Sequence, residues 1–243
     1  MASYRYTRNI TPQDERPPEP PAPPKGRKKW ENFWFYHKWH ILAALGVALL
    51  AVFLLRDIGS RVEPDYVIGV ITVDEAVPSG AFTPLEEALA PLADDRNGDG
   101  QTVVEVLEYD FTSEDPTMVM ANSTRLVGDV QTGESSFYLV DDLAAAQARF
   151  GGMFANNDGE ALDEEATDVS GVGVAWSACP PLAQLELGDV QTMMGASMGP
   201  LQQLLDGYTL VRRAPLEKAD EDTQAYLDAG TALFEALTAG AGR

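Results

Sequence analysis

The stretch WENFWFYHKWHILAALGVALLAVFLL, residues 30–55, decides how the chain is organised. Its second part, 41–55, is an apolar run without a single charge. Fifteen helical residues rise only about 22 Å, short of a hydrocarbon core of roughly 30 Å, so a membrane span must recruit the aromatic residues from Tyr36 onward. Lys25, Arg27, Lys28 and Lys29 precede the aromatic belt, the order expected where a helix enters a bilayer from the cytoplasmic side. Lys38 and both histidines, His37 and His40, sit where they can snorkel to the headgroups. A buried soluble helix would need neither the cations nor the aromatic girdle. A cleaved signal peptide would show a small-residue A-x-A-like site, which the exit Leu55-Arg56-Asp57-Ile58-Gly59-Ser60-Arg61 lacks. The stretch therefore reads as a signal anchor: one transmembrane helix over 30–56, in contact with the lipid bilayer.

Outward from it, the two flanks differ in kind. Residues 1–40 carry eight Lys and Arg against four Asp and Glu, whereas residues 56–243 carry nine against 34. With cations concentrated before the span and only Arg56 and Arg61 just after it, the positive-inside rule places the N-terminus in the cytoplasm and the rest outside the cell membrane. The tail, 1–29, is basic and Pro-rich, with Pro17, Pro18, Pro20, Pro21, Pro23 and Pro24 excluding regular structure. After a linker over 57–64, an acidic domain of 65–243 bears a net charge near -25. Such a domain repels phosphates, which excludes nucleic acid as a partner.

The acidic domain has no histidine, one lysine (Lys218) and the chain's single cysteine, Cys179. Intrachain disulfides, Ser-His-Asp triads, Cys-His pairs and His-based zinc sites are thereby excluded from it. Strand and helix signals alternate along its length. Val- and Ile-rich runs at 66–73, 102–109, 136–140, 171–177 and 208–212 read as strands. Helices are expected at 83–92 (Thr83 as N-cap, Glu86 closing a capping box), 116–130, 142–150 and 219–239, with shorter pieces at 182–187 and 201–205. Alternation of this kind predicts a three-layer α/β domain with a largely parallel sheet. The polar, acidic segment 156–170 reads as a loop that splits the domain into two unequal parts.

The run Trp30-Glu31-Asn32-Phe33-Trp34-Phe35-Tyr36-His37-Lys38-Trp39-His40 ahead of the apolar helix resembles the N-termini of poorly characterised single-pass envelope proteins of clostridial-type Gram-positive bacteria. Asp65-Tyr66-Val67-Ile68-Gly69-Val70, then the strand at 103–109, then Gly133-Glu134-Ser135-Ser136-Phe137-Tyr138-Leu139-Val140-Asp141-Asp142, are similar in order to one lobe of extracellular solute-binding proteins. The resemblance implies an extracytoplasmic, solute-binding-like fold. About 180 outer residues suffice for one such lobe and not for two with a cleft between them.

The sharpest local motif is Asp95-Arg96-Asn97-Gly98-Asp99-Gly100-Gln101. Oxygen ligands at alternate positions with a glycine at the sharp turn are the requirements of a calcium loop, and Gln101 can add its carbonyl. Position twelve is Val106 where a bidentate Glu is needed, and a strand follows where a helix is expected, so Asp95, Asn97, Asp99 and Gln101 form a candidate structural calcium site and not a full EF-hand. The alternative is a polar turn built on two turn dipeptides. The acid pairs Asp141-Asp142 and Asp163-Glu164-Glu165 keep open a carboxylate-dependent hydrolase of envelope polymers, which needs two carboxyl groups flanking one bond. Among 34 acids, pairs arise by chance. Cys179 and the methionines Met193, Met194 and Met198 read as core fillers, and Gly171-Val172-Gly173 lacks the spacing of a phosphate loop. The expected function is a non-enzymatic, membrane-anchored domain that binds an envelope protein, a cell-wall component or a small ligand; the other reading is an accessory subunit of a membrane complex.

Overall fold

Fifteen apolar residues do not define the ends of the first helix. In the computed structural model, which describes residues 26–59, 63–191 and 195–241, helix α1 runs unbroken over Gly26–Gly59. Basic, aromatic and apolar segments share one helix because no Pro or turn signal interrupts them. Within it Phe33–Leu54, 22 residues, is long and apolar enough to cross a membrane. That length corresponds to about 33 Å of helix, and the candidate stretch begins at Phe33, three residues before the expected Tyr36. Leu45, Leu49, Leu50 and Phe53 are all more than half exposed along it. The Lys38 ammonium lies 5.4 Å from the centre of the Phe35 ring. The predicted Pro-rich tail lies outside the described residues up to Gly26, as do Met193 and Met194.

The chain divides into two compact units, Met1–Arg61 and Val62–Arg243. In the second, strand β1 (Tyr66–Thr72) is buried at every position. Its alternate side chains enter two separate cores, as the period of two in a strand requires. Tyr66, Ile68 and Val70 pack with Leu85 and Leu89 of α2 (Thr83–Leu89) and with Leu233, Phe234 and Leu237 of α7 (Glu221–Leu237). Val67 and Ile71 pack with Leu126 of α3 (Pro116–Thr132) and with Leu143 and Ala146 of α4 (Leu143–Phe150). A strand covered on both faces loses its polar alternation, which is why 66–73 reads as a continuous apolar run. Gly69 belongs to this packing: a Cβ there would come within 2.5 Å of the Tyr138 ring on the neighbouring strand.

The sheet runs β2 (Val104–Asp110), β1, β3 (Phe137–Val140), β8 (Thr209–Arg213), β4 (Phe154–Ala155), with β5 (Val174–Ala175) also pairing β8. β1 is parallel to both β2 and β3. β8 is antiparallel to β3, β4 and β5. Five strands therefore point one way, as the prediction of a largely parallel sheet expects, and β8 alone runs against them and makes the sheet mixed. The chain reaches β8 from β5 through residues 176–208, which hold two short helices, α5 (Pro180–Ala183) and α6 (Leu201–Leu205).

Most predicted boundaries agree within a few residues. Asp115 caps α3 through the Thr117 amide and Gly133, at φ 77°, ends it; Asp142 caps α4 through the Ala145 amide. The capping box predicted for α2 does not form. The N-cap is Phe82, without a side-chain bond, and the Glu86 carboxylate accepts instead from the Val106 amide on β2, at 2.8 Å. Segment 156–170 does not split the domain, because β4 before it and β5 after it both pair with β8. A two-stranded hairpin of β6 (Asp189–Gln191) and β7 (Ser197–Pro200) was not predicted; its residues are largely polar or glycine and show no apolar alternation.

Candidate functional site

The parallel strands have an amino end and a carboxyl end, and the acidic residues serve each differently. At the amino end, the residue before β1 is Asp65, fully buried. One carboxylate oxygen accepts from the Arg96 and Asn97 amides at 2.8 and 2.9 Å, and the other accepts from the Val103 amide at 2.9 Å. Arg96 returns the contact by donating its Nε to the Asp65 carbonyl and stacks its guanidinium over the Tyr226 ring. The loop that contains the candidate calcium ligands is thus tied down by a residue thirty positions upstream. Inside the loop, Asp95 accepts from the Gly98 and Gly100 amides, Asn97 from the Asp99 amide, and Asp99 from the Gln101 amide. Asn97 also donates to the Glu63 carbonyl. Gly98 and Gly100 both have positive φ, 74° and 88°, which the two turns require. Asp95, Asn97, Asp99 and Gln101 are therefore gathered in one loop. Among the described residues, no group of three or more His, Cys, Asp or Glu side chains converges as a metal centre.

The carboxyl end is where open α/β sheets bind ligands, at the point where the strand order reverses. That point lies between β1 and β3, since the chain passes from β1 to β2 on one side and then crosses to β3 on the other. Here the amides of Val73, Asp74 and Glu75 point together, the kind of backbone nest that suits an anion. Asp141, the residue after β3, fills it: its carboxylate accepts from Val73, Asp74, Glu75 and Asp142 amides at 2.7 to 3.3 Å. A phosphate or carboxylate ligand would have to displace a tethered carboxylate. Around the nest the side chains of Asp74 and Glu75 are exposed and those of Asp110 and Asp142 are partly exposed. The rim is negative and suits a cationic or amino group. Tyr208, whose hydroxyl lies 3.5 Å from that of Thr72, forms the buried wall, and burial raises its phenol well above the usual range.

The remaining residues singled out by sequence are dispersed. Both Asp141 oxygens hold amides and Asp142 caps α4, so this pair serves the backbone. Asp163 accepts from the Glu165 amide in a turn. Cys179 is fully buried, donates weakly to the Ala175 carbonyl, and its thiol is pushed up to about 11 by burial, which suits packing and not nucleophilic work. Met198 is 45% exposed on the small hairpin, against the expectation of a core filler. Gly171 and Gly173 precede β5 directly, where a phosphate loop would open a helix, and a Cβ at Gly173 would meet β8.

Sequence reasoning missed Asp65 as an organiser and Asp141 as the filler of the nest, because each acts on amides far along the chain. It also missed a buried knot in which Asp129 accepts from the hydroxyls of Tyr109 and Ser135 at 2.8 and 2.6 Å, locking α3 against β2. The only local signal was the position of Asp65 and Asp141 immediately beside apolar runs. No family model, curated protein or solved structure matches this chain.

Proposed function

We propose that this chain is a single-pass membrane protein whose acidic, three-layer α/β domain works outside the membrane as a non-enzymatic binding or interaction module. The observation that carries the anchor is Phe33–Leu54, whose large apolar side chains are exposed along the helix. Leaving them in water costs about 25 cal/mol per Å2 of apolar surface, and a bilayer removes that cost. The basic residues before the span and the acidic excess after it support a cytoplasmic N-terminus.

The binding reading is supported by the carboxyl end of the sheet, where the nest is already occupied by Asp141 and the rim offers carboxylates without a histidine to act as general base. Partners that fit are an envelope protein, a cell-wall component or a small ligand bearing positive charge. The loop of Asp95, Asn97, Asp99 and Gln101 belongs to the same reading as a weak structural calcium site at the amino end. Its support is the alternate spacing of its oxygens.

Protease added to intact protoplasts tests the topology. It should remove the domain after Arg61 and leave the basic tail protected. Protection of residues 95–243 would overturn the orientation, and a mature N-terminus between Gly59 and Glu63 would replace the anchor by a cleaved signal.

A further inference from the structure

β2 is the edge strand of the main sheet, and its free side is a formed groove. The Tyr66 amide donates to the Val103 carbonyl and the Phe111 amide to the Thr72 carbonyl, so the odd-numbered residues of this segment turn their backbone groups to β1. Val104, Val106, Glu108 and Asp110 consequently direct theirs outward. Two outward groups have side-chain partners: Glu86 accepts from the Val106 amide, and Asn122 donates to the Asp110 carbonyl at 2.6 Å. The Val106 carbonyl and the Glu108 amide have none among the described residues. A hollow of about 490 Å3 lies along this edge, walled by the 77–86 segment on one side and by α3 on the other. β2 contains no Pro, bulge or lysine; its edge is blunted by its own acids and by the Glu86 and Asn122 side chains.

Charge decides the occupant. Glu86, Glu105, Glu108 and Asp110 line the groove against one cation, Arg125. A second copy of this chain, edge to edge, would set carboxylates against carboxylates, and a phosphate-bearing ligand would be repelled in the same way. We propose that the β2 edge is a docking groove for an extended segment of a partner protein carrying Lys or Arg at alternate positions. The segment adds a strand, with main-chain bonds giving affinity and the alternate side chains giving specificity. Val104 and Val106 face the α2 side, as does Glu108, whose carboxylate holds the Gly80 amide, so Glu108 and Glu86 offer the carboxylates to the cations of the segment, which recur at about 7 Å as every second residue of a strand. At Val106 docking exchanges partners without orphaning the amide or the carboxylate. A carbonyl of the segment takes the Val106 amide, and a cation of the segment takes the Glu86 carboxylate that had held it.

This inference rests on the reading of the domain as a binding module and names its partner class. The test uses the full chain in zwitterionic phosphatidylcholine nanodiscs. The probe is a labelled eight-residue peptide of alternating Lys and Val, compared with its fully N-methylated counterpart, which has the same charge and no amide donors. The unmethylated peptide should bind at least tenfold tighter, and its binding should slow hydrogen exchange of the Glu108 amide at least tenfold. Val106→Pro, which removes one outward donor and changes no charge, should weaken binding at least tenfold. Equal binding of the two peptides, or binding that leaves Glu108 exchange unchanged, overturns the docking groove. The protease experiment on protoplasts does not involve this edge, so failure there would overturn the anchored reading even if the peptide binds.

Discussion

The two ends of the parallel strands are closed by the same device in different surroundings. Asp65 at the amino end and Asp141 at the carboxyl end each lie immediately beside a strand, and each gathers the amides of a connecting segment on one carboxylate. Asp65 is fully buried, whereas Asp141 is partly exposed among further acids. A buried carboxylate with three amide donors is structural, because removing it leaves donors that water cannot reach. A partly exposed one lets water substitute for some of its bonds, so the same arrangement there is open to exchange with ligands. The amino-end carboxylate is sealed into the fold, whereas the carboxyl-end one stays within reach of water.

The largest effect should come from breaking the buried clamp. Asp65→Asn puts an NH2 group against a backbone amide donor and should destabilise the domain by roughly 3 kcal/mol, read from urea unfolding. Asp141→Asn makes the same change where water can enter, and a loss of about 1 kcal/mol is expected. A loss at Asp141 as large as that at Asp65 would erase the distinction between the two ends. Cys179 supplies an independent readout of both: being fully buried, with its thiol pushed up to about 11, it should react with iodoacetamide at pH 8 only when the domain opens. Its labelling should quicken more in the Asp65 variant than in the Asp141 variant.

The smallest effect concerns the loop that Asp65 holds. With two loop carboxylates and no bidentate ligand at the twelfth position, calcium should bind with a dissociation constant of roughly 10⁻⁴ to 10⁻³ M. At ten times that constant it should add about 1.4 kcal/mol of stability, seen as a rise in Tm larger than magnesium produces. Asp95→Asn with Asp99→Asn should lose most of the response and keep the fold. An equal response in wild type and double variant would assign it to screening of the acidic surface and leave the loop as a turn.

Several features were legible in the sequence because they depend on neighbours along the chain. The apolar run beside cations and aromatics marks a helix able to span a bilayer whatever else folds around it, since every apolar residue in that stretch acts on its own. Asp115 and Asp142 mark helix starts because capping is settled within three residues. Strand identity at 66–72 followed from burial on both faces, which leaves a continuous apolar run. Glu86 shows where such reasoning stops. Its spacing matches a capping box, yet its carboxylate bonds β2 twenty residues away, because tertiary packing brought a stronger use within reach. The sequence by itself determined a chain of two unlike parts, an apolar helix and an acidic α/β domain, through charge, periodicity and turn chemistry. Only the tertiary structure decided that β8 runs against its neighbours, that Asp65 and Asp141 close opposite ends of the sheet, and that the β2 edge stays open between acids. Each of those depends on contacts between segments distant in the chain, which no local pattern records.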